Sequence, residues 1–325
     1  MYRRILVPLD GSKVAEQVLP YARRLAGKFQ IPVDLVGAVD LAGIASHVKT
    51  EKALNLDEFI SESVRHSESY LQGISKTFPG LAAGWTVSKG KPEEVVIEKA
   101  ASNSETLIAM ATHGRSGMDR WLLGSVAEKV LRGTSNPLLL VKAGTHERSD
   151  AESTIQRIIV ALDGSLLAEK VLPHVTALAK ETASKTLLLR AYNLGEVIST
   201  FEGPIPDWKV LEKQAMSEVV KYLDGKMHEL KTKGLTDVAS RASEKEAAQE
   251  IIDVAAEEPN SLIAMCTHGR SGVQRWVLGS VTEKVVRHST CPVLVIPVRG
   301  SAAFLEGKPT EPIDEMRDVL KYSID

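Results

Sequence analysis

The chain has 325 residues, 43% of them hydrophobic and 25% charged, with a formal net charge of −2. That length suits two α/β units of about 150 residues, each able to bury its own core, better than one. The balanced charge leaves no excess of Lys and Arg to neutralise a phosphate backbone, so nucleic acid is excluded as the expected partner and any phosphate contact must be local. The only cysteines are Cys266, closing an apolar run, and Cys291, in a turn. They make no disulfide framework, and a reducing compartment is expected. The apolar run from Ile5 to Leu9 stops at Asp10, too short for a signal-peptide core or a membrane span. A cytoplasmic protein with no membrane partner is therefore expected.

In chain order, Ile5–Leu9 is a short apolar run followed by Asp-Gly-Ser and a helical pattern reaching Phe29: strand, turn, helix. Ser12 is the natural N-cap. Pro20 falls inside that helix, and a kink is expected there and at Pro173. Val33–Val39, Trp85–Ser88, Thr106–Ala111 and Pro137–Val141 read as further strands, separated by helices over about Asp57–Lys76, Pro92–Ala101 and Asp119–Arg132. In the second half the strands are Ile158–Leu162, Thr186–Ala191, Val238–Ser243, Leu262–Cys266 and Pro292–Ile296.

The halves are copies. Thr112–Val126, THGRSGMDRWLLGSV, returns as THGRSGVQRWVLGSV at Thr267–Val281, identical at twelve of fifteen positions. ILVPLDGSKVAEQVLP, from Ile5, returns as IIVALDGSLLAEKVLP from Ile158. A repeat this long is a whole domain rather than a solenoid unit. The expected layout is a domain over residues 1–143, a polar linker from Ala143 to Thr154, a domain over 155–298 and a tail over 299–325. Strands alternating with helices require right-handed parallel crossovers, giving each domain an α/β fold with an open five-stranded parallel sheet, order 3-2-1-4-5, and helices on both faces.

In that order the sheet reverses between strands 1 and 4, where open parallel sheets bind ligands at their carboxyl ends. Asp10-Gly11-Ser12 and the loop from Thr112 would face each other across that crevice, as would Asp163-Gly164-Ser165 and the loop from Thr267. Gly114 and Gly117 permit close backbone approach. Gly124-Ser125, near a helix start, can present N–H groups and a hydroxyl to an anion such as phosphate. The chain has neither GxxxxGK[ST] nor a GxGxxG after strand 1, so the P-loop and dinucleotide modes are absent.

On these residues each half resembles the universal stress protein domain, and the chain resembles a tandem member of that family. Its nucleotide-binding members carry Gly-x-x-Gly, nine residues, then Gly-Ser or Gly-Thr. Gly114 with Gly124-Ser125, and Gly269 with Gly279-Ser280, match all but the first glycine, which is replaced by Ala111 and Cys266. The resemblance implies that Asp10 and Asp163 lie near an adenine, with the backbone of Ala38 and Ala191 beside the base. It implies that Gly114, Gly124, Ser125 and Val126, and in the second half Gly269, Gly279, Ser280 and Val281, line the phosphates of ATP, through which magnesium would join. Thr282 stands where the first half has Ala127. Its hydroxyl could donate to a phosphate oxygen, making the second half the tighter site.

Simpler readings stand beside these. Asp10 and Asp163 could be turn formers only. His113 and His268 have no second ligand at metal spacing, so no metal site is expected. Arg115, Arg120, Arg270 and Arg275 are either solvated charges or phosphate neutralisers. Trp121 and Trp276 continue apolar stripes. No nucleophile, triad or general base is visible, so no catalytic residue is expected and any ATP hydrolysis would be slow or incidental. The resulting expectation is a protein of stress response or regulation that works by binding adenine nucleotide. The alternative is a scaffold that keeps the fold without nucleotide and acts through protein partners. Strand 5 of each half is an apolar edge, and the two are expected to pair within the chain. A homodimer is left open.

Overall fold

The computed structural model describes residues 1–41, 56–112, 123–142, 149–150, 152–193, 208–258, 260–267 and 278–298. The first half runs β1 (Arg4–Pro8), α1 (Lys13–Glu16), α2 (Leu19–Phe29), β2 (Val33–Val39), α3 (Leu56–Ser75), β3 (Ala83–Lys89), α4 (Pro92–Ala101), β4 (Thr106–Ala111), α5 (Ser125–Gly133) and β5 (Leu138–Val141). The second half repeats this as β6 (Arg157–Ala161), a 3-10 turn (Ala168–Val171), α6 (Leu172–Thr182), β7 (Lys185–Tyr192), α7 (Trp208–Thr232), β8 (Val238–Glu244), α8 (Ala247–Glu257), β9 (Ser261–Cys266), α9 (Ser280–His288) and β10 (Val293–Ile296).

Within each half the order is 3-2-1-4-5, all parallel, but the halves do not keep separate sheets. They join in one ten-stranded sheet, β3-β2-β1-β4-β5-β10-β9-β6-β7-β8. The junction is antiparallel, with Leu138, Leu139 and Leu140 opposite Val295, Leu294 and Val293. The central strands are apolar throughout, and every residue of β4, β5, β9 and β10 is buried. Covered on both faces, they have no water-facing side to alternate toward. The outer strands β3 and β8 carry exposed residues and form the edges.

Pro20 and Pro173 do not kink continuous helices. Each occupies the first turn of a new helix, α2 or α6, where its missing N–H would have had no intrahelical partner. The expected single helix after strand 1 is therefore two pieces, and the first is only one turn long. The helix expected from Asp119 starts later, because Gly124 is extended and α5 begins at Ser125; residues 119–122 lie outside the described residues.

Two apolar layers sandwich the sheet. One packs α2 and α3 with α6 and α7, and the other packs α4 and α5 with α8 and α9. Each layer runs across both halves, and polar contacts reinforce the join. Tyr2 Oη lies 2.9 Å from His174 Nδ1 across the halves, and Arg23 holds the linker to the first half by an ion pair with Asp150 at 2.8 Å. No helix among the described residues is long and apolar enough to cross a membrane.

Candidate functional site

β1 pairs with both β2 and β4, but the chain leaving β1 enters the α2 layer while the chain leaving β4 enters the α5 layer. The two exits diverge and open a crevice at the carboxyl edge, as they do beyond β6 and β9.

One wall is the Asp-Gly-Ser turn. Asp10 Oδ1 accepts from Ser12 N at 2.9 Å and from Ser12 Oγ at 2.6 Å, and Ser12 Oγ accepts from Ala15 N at 3.1 Å. Asp163 and Ser165 repeat this at 2.9 and 2.7 Å, with Ser165 Oγ accepting from Ala168 N at 3.1 Å. The carboxylate fixes the serine hydroxyl, which caps the next turn. Gly11 and Gly164 have φ of 83° and 89°, a bend that a Cβ would strain. The turn-forming reading of both aspartates is thus realised.

The other wall is a helix N-terminus. Gly124 caps α5 and Gly279 caps α9, with φ and ψ of −58°, 144° and −59°, 140°, and neither helix has a side-chain cap. Gly124 N donates to Thr112 O at 2.7 Å and Gly279 N to Thr267 O at 2.9 Å, tying each cap to the end of its strand. Any residue can adopt those dihedral angles. Backbone geometry therefore does not require glycine, and what the two glycines provide is a missing side chain. Ser125 and Ser280 are exposed and Val126 and Val281 half-buried, giving both helix starts one surface pattern.

Ala111 and Cys266, where the family pattern has its first glycine, are buried at 6% and 5% exposure. Cys266 Sγ points under the neighbouring 3-10 turn, 3.4 Å from Ala168 O, and burial pushes its thiol pKa up to about 12. It therefore stays protonated. Thr282 departs from expectation: its hydroxyl is buried and donates to Cys266 O at 2.9 Å. The proton expected for a phosphate is spent on joining α9 to β9. Ala38 and Ala191 sit half-buried near the carboxyl ends of β2 and β7. Gly114 and Gly269, with His113, His268 and the neighbouring arginines and tryptophans, lie outside the described residues.

Sequence reading missed a polar clamp behind the Asp-Gly-Ser turn. Tyr70 on α3 donates to Glu16 at 3.1 Å, and Tyr222 on α7 donates to Glu169 at the same distance. Both pairs recur with the repeat, a signal available in the sequence. The second clamp is larger. Lys226 Nζ lies 2.7 Å from Glu169, and the Arg190 guanidinium stacks 4.8 Å from the Tyr222 ring centroid. Burial first, and Glu169 second, raise the Tyr222 pKa, so its hydroxyl remains a donor. No group of three or more His, Cys, Asp or Glu side chains placed to hold a metal occurs among the described residues.

A doubled α/β unit with a glycine-capped helix start facing an Asp-Gly-Ser turn across each switch point defines the class. The sequence matches the universal stress protein family over residues 1–142 and again over 154–297, and the chain belongs to that family. It is 24% identical to a universal stress protein of Mycolicibacterium smegmatis over 299 residues, covering 91% of this chain and 97% of that one. A Mycobacterium tuberculosis relative is likewise 24% identical, covering 90% and 95%. A universal stress protein structure from Archaeoglobus fulgidus superposes with a TM-score of 0.64 at 22% identity, covering 91% and 99%, which shows the shared fold.

Proposed function

We propose that the chain is an adenine-nucleotide-binding protein of stress response or regulation, taking ATP with magnesium held through the phosphates and acting by occupancy rather than turnover. The observation that carries this reading is the repeated glycine cap. Gly124 and Gly279 hold ordinary backbone angles, lack a capping side chain and stand at the switch point in both halves. A helix start without a side-chain cap presents its first N–H groups and its dipole to an anion. Where the family has its first glycine, Ala111 adds only a methyl group and the buried Cys266 thiol is turned onto Ala168 O. In this reading Asp10 contacts the base end and Ser125 and Val126 the phosphates, with Asp163, Ser280 and Val281 as their counterparts in the repeat.

The test has two parts. Nucleotide extracted from the purified protein should be identified by mass spectrometry as ATP or a close adenine relative. Calorimetric titration should then show ATP binding that is lost in the double variant Gly124→Val/Gly279→Val, with the far-UV circular dichroism unchanged. A protein that carries no nucleotide and takes up none is the scaffold instead, the reading that the replaced glycines would favour.

A further inference from the structure

β2 and β7 hold the same place in the two halves, since Ile5 lies opposite Val33 and its copy Ile158 lies opposite Thr186. Counting along from there, Gly37 and Arg190 are equivalent. A Cβ at Gly37 would meet Leu71 Cδ1 at 3.2 Å and Val87 Cγ2 at 3.6 Å, so that layer is already closed by apolar side chains. Leu223, on the equivalent helix α7, is as buried as Leu71. The Arg190 side chain places its head at the carboxyl edge. There its guanidinium atoms stand 2.8 to 2.9 Å from where a Cβ on Gly164 would be, in contact with the Asp163-Gly164-Ser165 turn.

Arg190 is 7% exposed, with Tyr222 on its other side at 4.8 Å. The ring is itself fixed by its bond to Glu169, which Lys226 also grips. The cation is thus sandwiched between a backbone turn and an aromatic face, both held from behind. The turn around it is more covered as a result: Asp163 is half-buried where Asp10 is exposed.

We infer that Arg190 is a specificity-determining residue that makes the second crevice a poor adenine-nucleotide site, so that the chain carries one nucleotide, in its first half. This rests on the nucleotide reading above. An adenine seated beside Asp163 and the Ala191 backbone meets a fixed, desolvated guanidinium. In the first half the equivalent residue is Gly37, which has no side chain to send there. The base is neutral and offers no counter-charge, so shifting Arg190 off Tyr222 would forfeit a cation–π contact with nothing from the base to replace it. The asymmetry is the reverse of the one expected from Thr282.

Equilibrium dialysis of the full chain against ATP tests this. The wild-type protein should saturate near one nucleotide per chain, and Gly124→Val should abolish that binding. Arg190→Gly, the residue of the first half, should raise saturation to near two, and Arg190→Ala should do so as well, each with a wild-type far-UV spectrum. Two equivalents in the wild-type chain, one equivalent still bound by Gly124→Val, or a folded Arg190 variant still at one would each overturn the inference. If both Arg190 variants misfold, the wild-type count and the Gly124→Val variant decide it. Failure of the nucleotide reading is a separate result, in which neither the wild type nor any Arg190 variant takes up ATP.

Discussion

Leu139 lies directly opposite Leu294 in the antiparallel junction of β5 and β10, and each is the other's counterpart in the repeat. The internal two-fold of the molecule therefore passes between two equivalent leucines, both 2% exposed or less. Truncating either should cost about 2 to 5 kcal/mol, the range for buried leucine to alanine. Because the sheet and both layers cross this junction, Leu294→Ala should lower one common unfolding transition in scanning calorimetry. Splitting into two transitions, with only one displaced, would show that the halves unfold independently. The Leu139→Ala/Leu294→Ala pair should deviate from additivity, as residues in contact do.

His174 should make this join sensitive to acid. Burial beside Tyr2 lowers its pKa from 6.5 to about 4. Between those values the unfolded chain binds a proton that the native chain refuses. The stability His174 supports is therefore complete above about pH 6.5 and is lost as pH falls toward 4, by at most about 3 kcal/mol. Urea melts at pH 7.5 and pH 4.5 should show a smaller drop for His174→Gln than for wild type. Equal drops would mean that the carboxylates common to both proteins account for the acid sensitivity.

The buried hydroxyl of Thr282 is a stability group. Thr282→Val keeps the shape and removes the donor to Cys266 O, leaving a buried carbonyl short of a partner. A loss of about 1 to 2 kcal/mol is expected, with ATP affinity unchanged. Weaker nucleotide binding at unchanged stability would return the hydroxyl to the phosphate.

Much of this architecture is legible in the sequence because the repeat states it twice. β2, α4 and β4 have the bounds that apolar runs and Pro92 imply, and Ser12 caps as its position before a helical pattern suggests. What stays hidden depends on tertiary neighbours. Pro20 looks like a kink until the chain is seen to stop and restart around it. Thr282 looks ligand-facing because the acceptor of its proton is a strand-end carbonyl sixteen residues earlier. Arg190 gives no local sign of where its head lies, since that is set by Gly164 on one strand exit and Tyr222 on a distant helix.

Joining two copies in one polypeptide also changes what a mutation can do. In a symmetric pair of identical chains every substitution is made twice, and a change that spoils one pocket spoils both. Here Gly37 and Arg190 descend separately, as do Ala127 and Thr282 across the same sheet. Inheritance is uncoupled while assembly is not: the β5–β10 contact survives dilution because its partners are tethered. One half is then free to change in chemistry without the other, and the shared sheet holds both in place.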